Sequence, residues 1–243
     1  MGFKEVLEKA SAGDPHARNA LGYIYYRGDG VEKDLDKAFM WFDLAADQGD
    51  PEGQCNAAHM LVHAEGTNAN IDEAVRLYKL SAEQGYVISM FNLGHMYSDG
   101  LGAPQDWNEA IHWYTKASEG GSIPACYRLA VICQEGRGME KDPARAESLL
   151  KRCSDAGYAK ASVRLALMYV TGDGVQKRES AGVKLLNSAA AQGDADAMLW
   201  LGKLSLSGEG MVKSVSNAKK WLNKASVRGN EEAKKLLQAP PFS

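Results

Sequence analysis

The chain has 243 residues, of which 45% are hydrophobic and 24% charged, and its formal net charge is −3, a composition typical of a folded domain with an ordinary core. No apolar run is long enough to cross a membrane, so the sequence predicts no membrane insertion. The basic residues do not form a dense cluster interleaved with aromatic residues, which argues against nucleic acid as a partner.

Residues 1–13 are predicted to form a cap that resembles the second helix of the units that follow. Ala10 and Gly13 align with Ala46 and Gly49 of the first complete unit. The segment carries Glu5 and Glu8 and lacks the apolar centre of a signal peptide, so we expect a cytoplasmic protein. If an export signal was trimmed from the N-terminus, a periplasmic or secreted location follows instead.

Residues 14–230 repeat six times with a period of 36 residues and without insertion or deletion. A fixed period of this length is typical of proteins built from stacked helix pairs. The sequence therefore predicts one solenoid domain over residues 1–238. One glycine recurs in every copy, as Gly30, Gly66, Gly102, Gly138, Gly174 and Gly210.

Each copy predicts two helices. In the first copy, helix A lies near Pro15 to Arg27 and helix B near Asp34 to Gln48, because apolar residues recur every three or four positions. Gly22 lets the two helices approach closely. Gly49 supplies a left-handed C-cap, and Asp50 supplies the N-cap of the next unit. One pair cannot bury its own apolar face, so successive pairs must stack.

Residues 17–49 carry the pattern A-x-x-x-L-G-x-x-Y-x-x-G-x-G-V-x-x-D-x-x-K-A-x-x-W-x-x-x-A-A-x-x-G, which resembles the Sel-one-like repeat (SLR) family, a relative of the tetratricopeptide repeats. The resemblance extends over residues 14–230. It implies an all-α fold, a right-handed α/α superhelical solenoid of six 36-residue helix pairs with A helices on the concave face. Members of that family mostly act as adaptors, which implies a protein or peptide partner.

Two regions depart from the regular pattern. In repeat 2, Ala57 and Ala58 replace the Leu-Gly pair and the turn at 66–70 lacks the usual valine and aspartate, so we expect looser packing there. Residues 231–238 predict a C-terminal capping helix with its charges toward solvent. Residues 239–243, which include Pro240 and Pro241, are predicted to be a disordered tail.

The four cysteines show no metal-ligand spacing and do not recur from repeat to repeat. Some secreted SLR proteins carry a paired cysteine in every repeat, and that disulfide ladder is missing here. We therefore expect buried or half-buried thiols.

The net charge conceals an asymmetry. Residues 1–120 contain 9 basic and 19 acidic side chains, whereas residues 121–243 contain 19 basic and 12 acidic ones. Most of these charges are expected on solvated faces. The alternative is steering of a polarised partner or head-to-tail association.

The A helices predict a binding groove. If Leu21 and its equivalents face the partner helices, other positions of helix A, including those of Asn19 and Tyr23, face the groove. Aromatic and histidine side chains gather there in repeats 1–4, as in a binding hot spot, whereas the later aliphatic ones either bind or pack against the next repeat. The predicted partner-binding residues are Tyr23, Tyr26, His59, His63, Phe91, His95, Tyr127, Val131 and Leu167.

The histidines of the groove raise a second possibility. His59 and His63 are four residues apart on one helix, and His95 occupies the position of His59 in the next repeat, so three imidazoles could converge on zinc. A polar groove wall without metal is favoured, because no carboxylate that would orient the ligands is evident. No cofactor and no catalytic residue are predicted.

The sequence predicts a monomeric, non-enzymatic scaffold or adaptor that holds a peptide or partner loop in its concave groove. Acidic residues beside the groove (Glu52, Asp99 and Glu135) suggest a ligand with positive charge next to an apolar anchor. One alternative is an inhibitor or immunity protein that blocks a toxin or effector. The other is an enzyme, since some SLR proteins have been credited with β-lactam hydrolysis, but these belong to the disulfide-laddered subfamily.

Overall fold

The structure, a computed structural model, describes residues 2–242, and within that range it contains fourteen α-helices and no β-strand. The predicted all-α solenoid of six helix-pair repeats is confirmed. Even-numbered helices from α2 to α12 are the A helices, and odd-numbered helices from α3 to α13 are the B helices. The helices are α1 (Phe3–Ser11), α2 (Pro15–Arg27), α3 (Leu35–Ala46), α4 (Pro51–His63), α5 (Ile71–Glu83), α6 (Val87–Asp99), α7 (Trp107–Glu119), α8 (Ile123–Glu135), α9 (Pro143–Asp155), α10 (Ala159–Thr171), α11 (Glu179–Ala191), α12 (Ala195–Ser207), α13 (Val215–Val227) and α14 (Glu231–Leu237).

The helices form two compact units, Met1–Ala125 and Cys126–Ser243, here called the N-terminal and C-terminal units. In the N-terminal unit, Val6 and Ala10 of α1 pack with Ala17 and Leu21 of α2. In the C-terminal unit, the core continues through α10 to α13 and includes Ala233 of α14. The single domain over 1–238, with caps at 1–13 and 231–238, stays a prediction.

Side-chain caps fix the start of most helices. The Asp14 carboxylate accepts hydrogen bonds from the amides of His16 and Ala17, at 2.9 and 3.2 Å, and α2 begins at Pro15 as expected. The Asp34 carboxylate accepts from the amide of Lys37 at 2.9 Å at the start of α3. These bonds satisfy amides that the first helical turn leaves free.

Small residues on the A helices allow each pair to pack closely. A methyl group on Gly22 would lie 2.5 Å from Cδ1 of Phe42, and one on Gly94 would lie 2.6 Å from Cδ1 of Tyr114. A larger side chain would therefore push helix B away. This contact confirms the role inferred for Gly22 from the sequence.

The recurrent glycine of the interhelix turn joins one repeat to the previous one. Gly66 has φ of +63°, and a methyl group there would lie 2.1 Å from the carbonyl oxygen of Leu35 on α3. Gly174 has φ of +68° and would place a methyl 2.3 Å from Cγ of Pro143 on α9. Both the left-handed backbone and the close approach require glycine.

Repeat 2 carries backbone strain in its turn, and several residues of its helix A are buried. Ala64 ends α4 with φ of +53°, and it is the one non-glycine residue with positive φ within residues 2–242. The equivalent residue in repeat 1 is Gly28, with φ of +77°. Cys55, Met60 and other residues of α4 are buried. The expectation of looser packing stays a prediction.

The end of the chain folds back on the C-terminal unit. The amide of Phe242 donates to the carbonyl of Ala239 at 3.0 Å, and the Phe242 side chain packs against the core of the unit. Ser243 lies outside the described residues, and disorder of the tail 239–243 stays a prediction.

The expectation of buried or half-buried thiols is met. Cys55, Cys126, Cys133 and Cys153 are all buried as thiols rather than disulfides. No helix in the described part of the chain is long and apolar enough to cross a membrane.

Candidate functional site

In the N-terminal unit, polar side chains link the first two A helices. The hydroxyl of Tyr23 donates to Oδ1 of Asn56 at 3.0 Å, and Nδ2 of Asn56 donates to Oδ1 of Asn19 at 2.8 Å. Asn19 is buried, and the Tyr23 ring meets the Phe42 ring edge-on at 5.2 Å. The predicted groove residue Tyr23 therefore has a structural role.

A second cluster on the same two helices contains two predicted histidines. The Tyr26 hydroxyl donates to Oε2 of Glu65 at 3.0 Å, and Nδ1 of His59 lies 3.9 Å from the same oxygen. The rings of His59 and His63 are 4.4 Å apart. Burial and the neighbouring His63 lower the pKa of His59, while the hydrogen bond to Glu65 raises the pKa of Tyr26. The imidazole of His59 therefore favours its neutral form.

These two clusters enclose only a small cavity. Its volume is about 180 Å³, and its walls include Phe42 and Met60 beside the polar residues of α2 and α4. The cavity has room for about one side chain.

Phe91 and His95 lie on α6, and neither joins these clusters through a contact seen in the described residues. The Phe91 ring lies 5.9 Å from the Tyr114 ring of its own repeat. Nδ1 of His95 lies 3.1 Å from the carboxylate of Asp99, one turn further along the helix. Within residues 2–242, no group of three or more His, Cys, Asp or Glu side chains is arranged to hold a metal ion, so His59, His63 and His95 do not form the zinc site considered above.

In the C-terminal unit, the A helices α8, α10 and α12 form a larger cleft. Its volume is about 540 Å³. Tyr127 and Leu167, both predicted from the sequence, line it, and Val131 is half-buried on the same helix as Tyr127. The lining residues are Tyr127, Gln134, Lys160, Val163, Arg164, Leu167, Asp194, Asp196 and Trp200.

An ionic network fixes one wall of this cleft. Nε of Arg164 donates to Oε1 of Gln134 at 2.6 Å, and its Nη2 donates to Oε1 of Glu135 at 2.6 Å. Gln134 also donates to the carboxylate of Asp173 at 3.1 Å. These bonds connect α8 with α10 and hold the guanidinium in place.

Two aromatic side chains, Tyr127 and Trp200, also line the cleft. The Tyr127 ring meets Tyr158 at 5.3 Å, and Nζ of Lys203 lies 4.4 Å from the centre of the half-buried Trp200 ring. Lys203 is also paired with Glu232 at 2.6 Å. The cleft thus combines preorganised aromatic rings with charges of both signs.

The predicted groove positions leave out the one that follows Asn19 on helix A, although the sequence singles out Trp200 there as either a surface anchor or a packing residue at the end of the solenoid. That position holds Asn56, Arg164 and Trp200 in three of the repeats, and all three line cavities. The signal in the sequence was the presence of large polar or aromatic residues there. The position of Asn19, which was assigned to the groove, varies between repeats. It is buried at Asn19, Cys55 and Leu199, whereas Tyr127 and Val163 line the cleft. For Leu199, burial favours packing over binding.

Comparison with known proteins shows what the chain is similar to. The Sel1 repeat pattern matches six consecutive segments, residues 15–50, 51–86, 87–122, 123–158, 159–194 and 195–230. A comparison with curated proteins finds no match.

Solved structures show the same architecture. A Sel1 repeat protein from Oxalobacter formigenes is 30% identical with a TM-score of 0.77, and the alignment covers 87% of this chain and 84% of that one. The protective antigen c5321 from uropathogenic Escherichia coli, which displays an SLR fold, is 26% identical with a TM-score of 0.71, over 98% of this chain and 58% of that one. Immunity protein Pa5087 from Pseudomonas aeruginosa is 16% identical with a TM-score of 0.50, over 94% and 88% of the two chains, and shares the fold alone. Because the repeat pattern accounts for residues 15–230, the chain belongs to the Sel1 repeat family.

Proposed function

We propose that this chain is a non-enzymatic protein-interaction module that holds a segment of a partner protein in the cleft of the C-terminal unit. Sel1 repeat proteins generally mediate protein–protein interactions and generally act as non-enzymatic scaffolds. The cleft formed by α8, α10 and α12 supports this surface as the one that binds the partner.

The observation that carries the proposal is the cleft of about 540 Å³ lined by Tyr127, Leu167 and Trp200. This volume lies within the range of about 300–1,000 Å³ found for small-ligand pockets, and it is large enough for one or two anchoring side chains. Tyrosine and tryptophan bury much area at low cost in conformational entropy, which is why they dominate binding hot spots.

The charges around the cleft favour a ligand that differs from the positively charged one expected from the sequence. Glu135 is compensated by Arg164 at 2.6 Å and by Arg137 at 2.7 Å, so it adds little uncompensated negative charge. Lys160 is exposed at the same cleft, whereas Asp196 accepts a hydrogen bond from Asn230 at 2.9 Å. The partner segment is therefore an apolar or aromatic anchor flanked by charges of both signs.

Neither alternative function has a specific observation in its favour. The likeness to an immunity protein is a likeness of fold. The β-lactam alternative came from the disulfide-laddered subfamily, and the four cysteines of this chain are thiols rather than disulfides.

The test is capture of partners from the native source with three baits. These are the wild type, the cleft variant Tyr127→Ala/Trp200→Ala, and the matched variant Trp221→Ala, which removes a half-buried tryptophan outside the cleft. A partner captured by the wild type and by Trp221→Ala should be lost with the cleft variant, while circular dichroism shows retained helicity. Equal capture by all three baits would contradict the proposal.

A further inference from the structure

The outer face of α3, in the first repeat, carries an acidic stripe. Asp36, Met40, Asp43 and Asp47 follow a spacing of four, three and four residues, which places them in one line along the helix. Asp36 and Asp47 are exposed, and Met40 is 45% exposed. The apolar side chain of Met40 is thus exposed to solvent among three carboxylates.

These carboxylates are only partly compensated, by the charge of Arg76 on the next B helix. Within the described residues, no basic side chain forms an ion pair with Asp36, Asp43 or Asp47, and Arg76 is paired with Glu73 at 2.6 Å. Partial burial and the negative charges of Asp47 and Glu73 raise the pKa of Asp43, and the positive charge of Arg76 opposes this rise. The stripe therefore presents a net negative field to solvent.

The outer face of α13, in the last repeat, carries a basic stripe. Lys220, Lys224 and Val227 are spaced by four and three residues, and Val227 is 86% exposed. Nζ of Lys224 lies 4.4 Å from the centre of the Trp221 ring. Residues 211–230 contain five basic and no acidic side chains, and none of the five forms an ion pair with the described residues.

The two stripes share two positions of the repeat. Met40 and Lys220 are five periods apart, as are Asp47 and Val227. This face of helix B is therefore acidic in the first repeat and basic in the last. The units follow the same trend, with 9 basic and 19 acidic residues in 1–125 against 19 basic and 12 acidic residues in 126–243.

We propose that the acidic stripe of α3 in one copy binds the basic stripe of α13 in a second copy. The charges are complementary, and each stripe adds an exposed apolar side chain that the contact would bury. Since the two stripes differ, the contact is heterologous and joins copies head to tail. This inference departs from the monomer expected from the sequence. It is independent of the proposed function because it uses the outer faces of B helices.

The test is sedimentation velocity of the full chain at about 25 mM and about 500 mM NaCl, because salt screens exposed charges. Two charge-reversed variants are compared with the wild type, Lys220→Glu/Lys224→Glu and Asp36→Lys/Asp47→Lys. The wild type should associate at low salt only. Each variant alone should dissociate at least about tenfold more readily, since both of its stripes then carry the same sign. An equimolar mixture of the two variants should associate again.

A matched variant distinguishes an effect of the basic stripe from an effect of the net charge of the chain. Lys141→Glu/Lys151→Glu changes two exposed lysines of the same unit that lie outside α13 and should associate like the wild type. Loss of association in this variant, a wild type that is monomeric at low salt, or no recovery in the mixture would overturn the proposal. So would a wild type that binds phosphatidylserine vesicles through the α13 lysines without associating, since the basic stripe would then serve a membrane surface.

Discussion

In the N-terminal unit, polar side chains of adjacent A helices bond to one another, with Tyr23 on Asn56 and Tyr26 on Glu65, and only about 180 Å³ remains open. In the C-terminal unit, the same surface opens into about 540 Å³ between Tyr127 and Trp200. Both units use the same repeat and the same glycines. The difference shows that packing positions are shared by all repeats, whereas the remaining positions of helix A decide whether the surface closes on itself or stays free for a partner.

The largest expected effect tests the part that the units share. Gly66→Ala and Gly174→Ala should each lower the free energy of unfolding by about 3 kcal/mol, because each adds left-handed strain and a clash with the preceding helix B. Gly30→Ala should cost only about 1 kcal/mol, since Gly30 has φ of +76° but open space around its Cα. Urea unfolding measures all three. Equal losses would show that the close approach to helix B has no energetic weight.

Asn56→Ala should destabilise the protein by about 2 kcal/mol, because it leaves the Tyr23 hydroxyl and the buried Asn19 carbonyl without their partner. Lys160→Ala, at the cleft of the other unit, should change stability by less than about 0.5 kcal/mol because that side chain is exposed. Thermal and urea unfolding give both values. A neutral Asn56→Ala would mean that the closed surface of the N-terminal unit is not held by this network.

Ala64→Gly should stabilise repeat 2 by about 1 kcal/mol, because glycine adopts the left-handed conformation at φ of +53° without the Cβ penalty. The reciprocal change in repeat 1, Gly28→Ala, should destabilise by a similar amount. Chemical unfolding of the two variants provides the measurement. A destabilised Ala64→Gly would contradict the assignment of strain to this turn.

The smallest effect concerns pH. Burial and His63 lower the pKa of His59 in the folded state, so the unfolded chain takes up this proton more readily. The wild type should therefore lose stability as the pH falls below the ordinary histidine pKa of about 6.5, and the loss should end below the folded pKa of His59. His59→Gln should lose less stability between pH 7.5 and 5.5. The effect should be small, since the His59 side chain is 45% exposed. Identical pH profiles would show that His59 is not perturbed.

The fold was predictable because its signals are periodic. Helix α2 begins and ends where the spacing and the Asp14 cap place it, and Gly22 packs against Phe42 as its small size indicates. Repetition adds weight to each signal, since the same residue type at six equivalent positions rules out coincidence.

The site was less predictable, for a geometric reason. A step of 100° per residue places two consecutive positions of helix A, those of Asn19 and Ala20, at the border between the groove and the next repeat. The size of neighbouring side chains then decides which one is covered. In the structure the first position is buried at Leu199 but lines the cleft at Tyr127, and the second lines the cleft at Arg164 and Trp200. Periodicity alone does not separate them.

The most direct test of the difference between the units is hydrogen exchange by mass spectrometry, with and without the captured partner. If the partner binds in the cleft of the C-terminal unit, exchange should slow in α10 and α12, at residues 159–171 and 195–207. Exchange in α2 and α4 should stay unchanged. Slowed exchange in α2 and α4 with no change in α10 and α12 would contradict it, because the closed surface of the N-terminal unit would then be the one that binds.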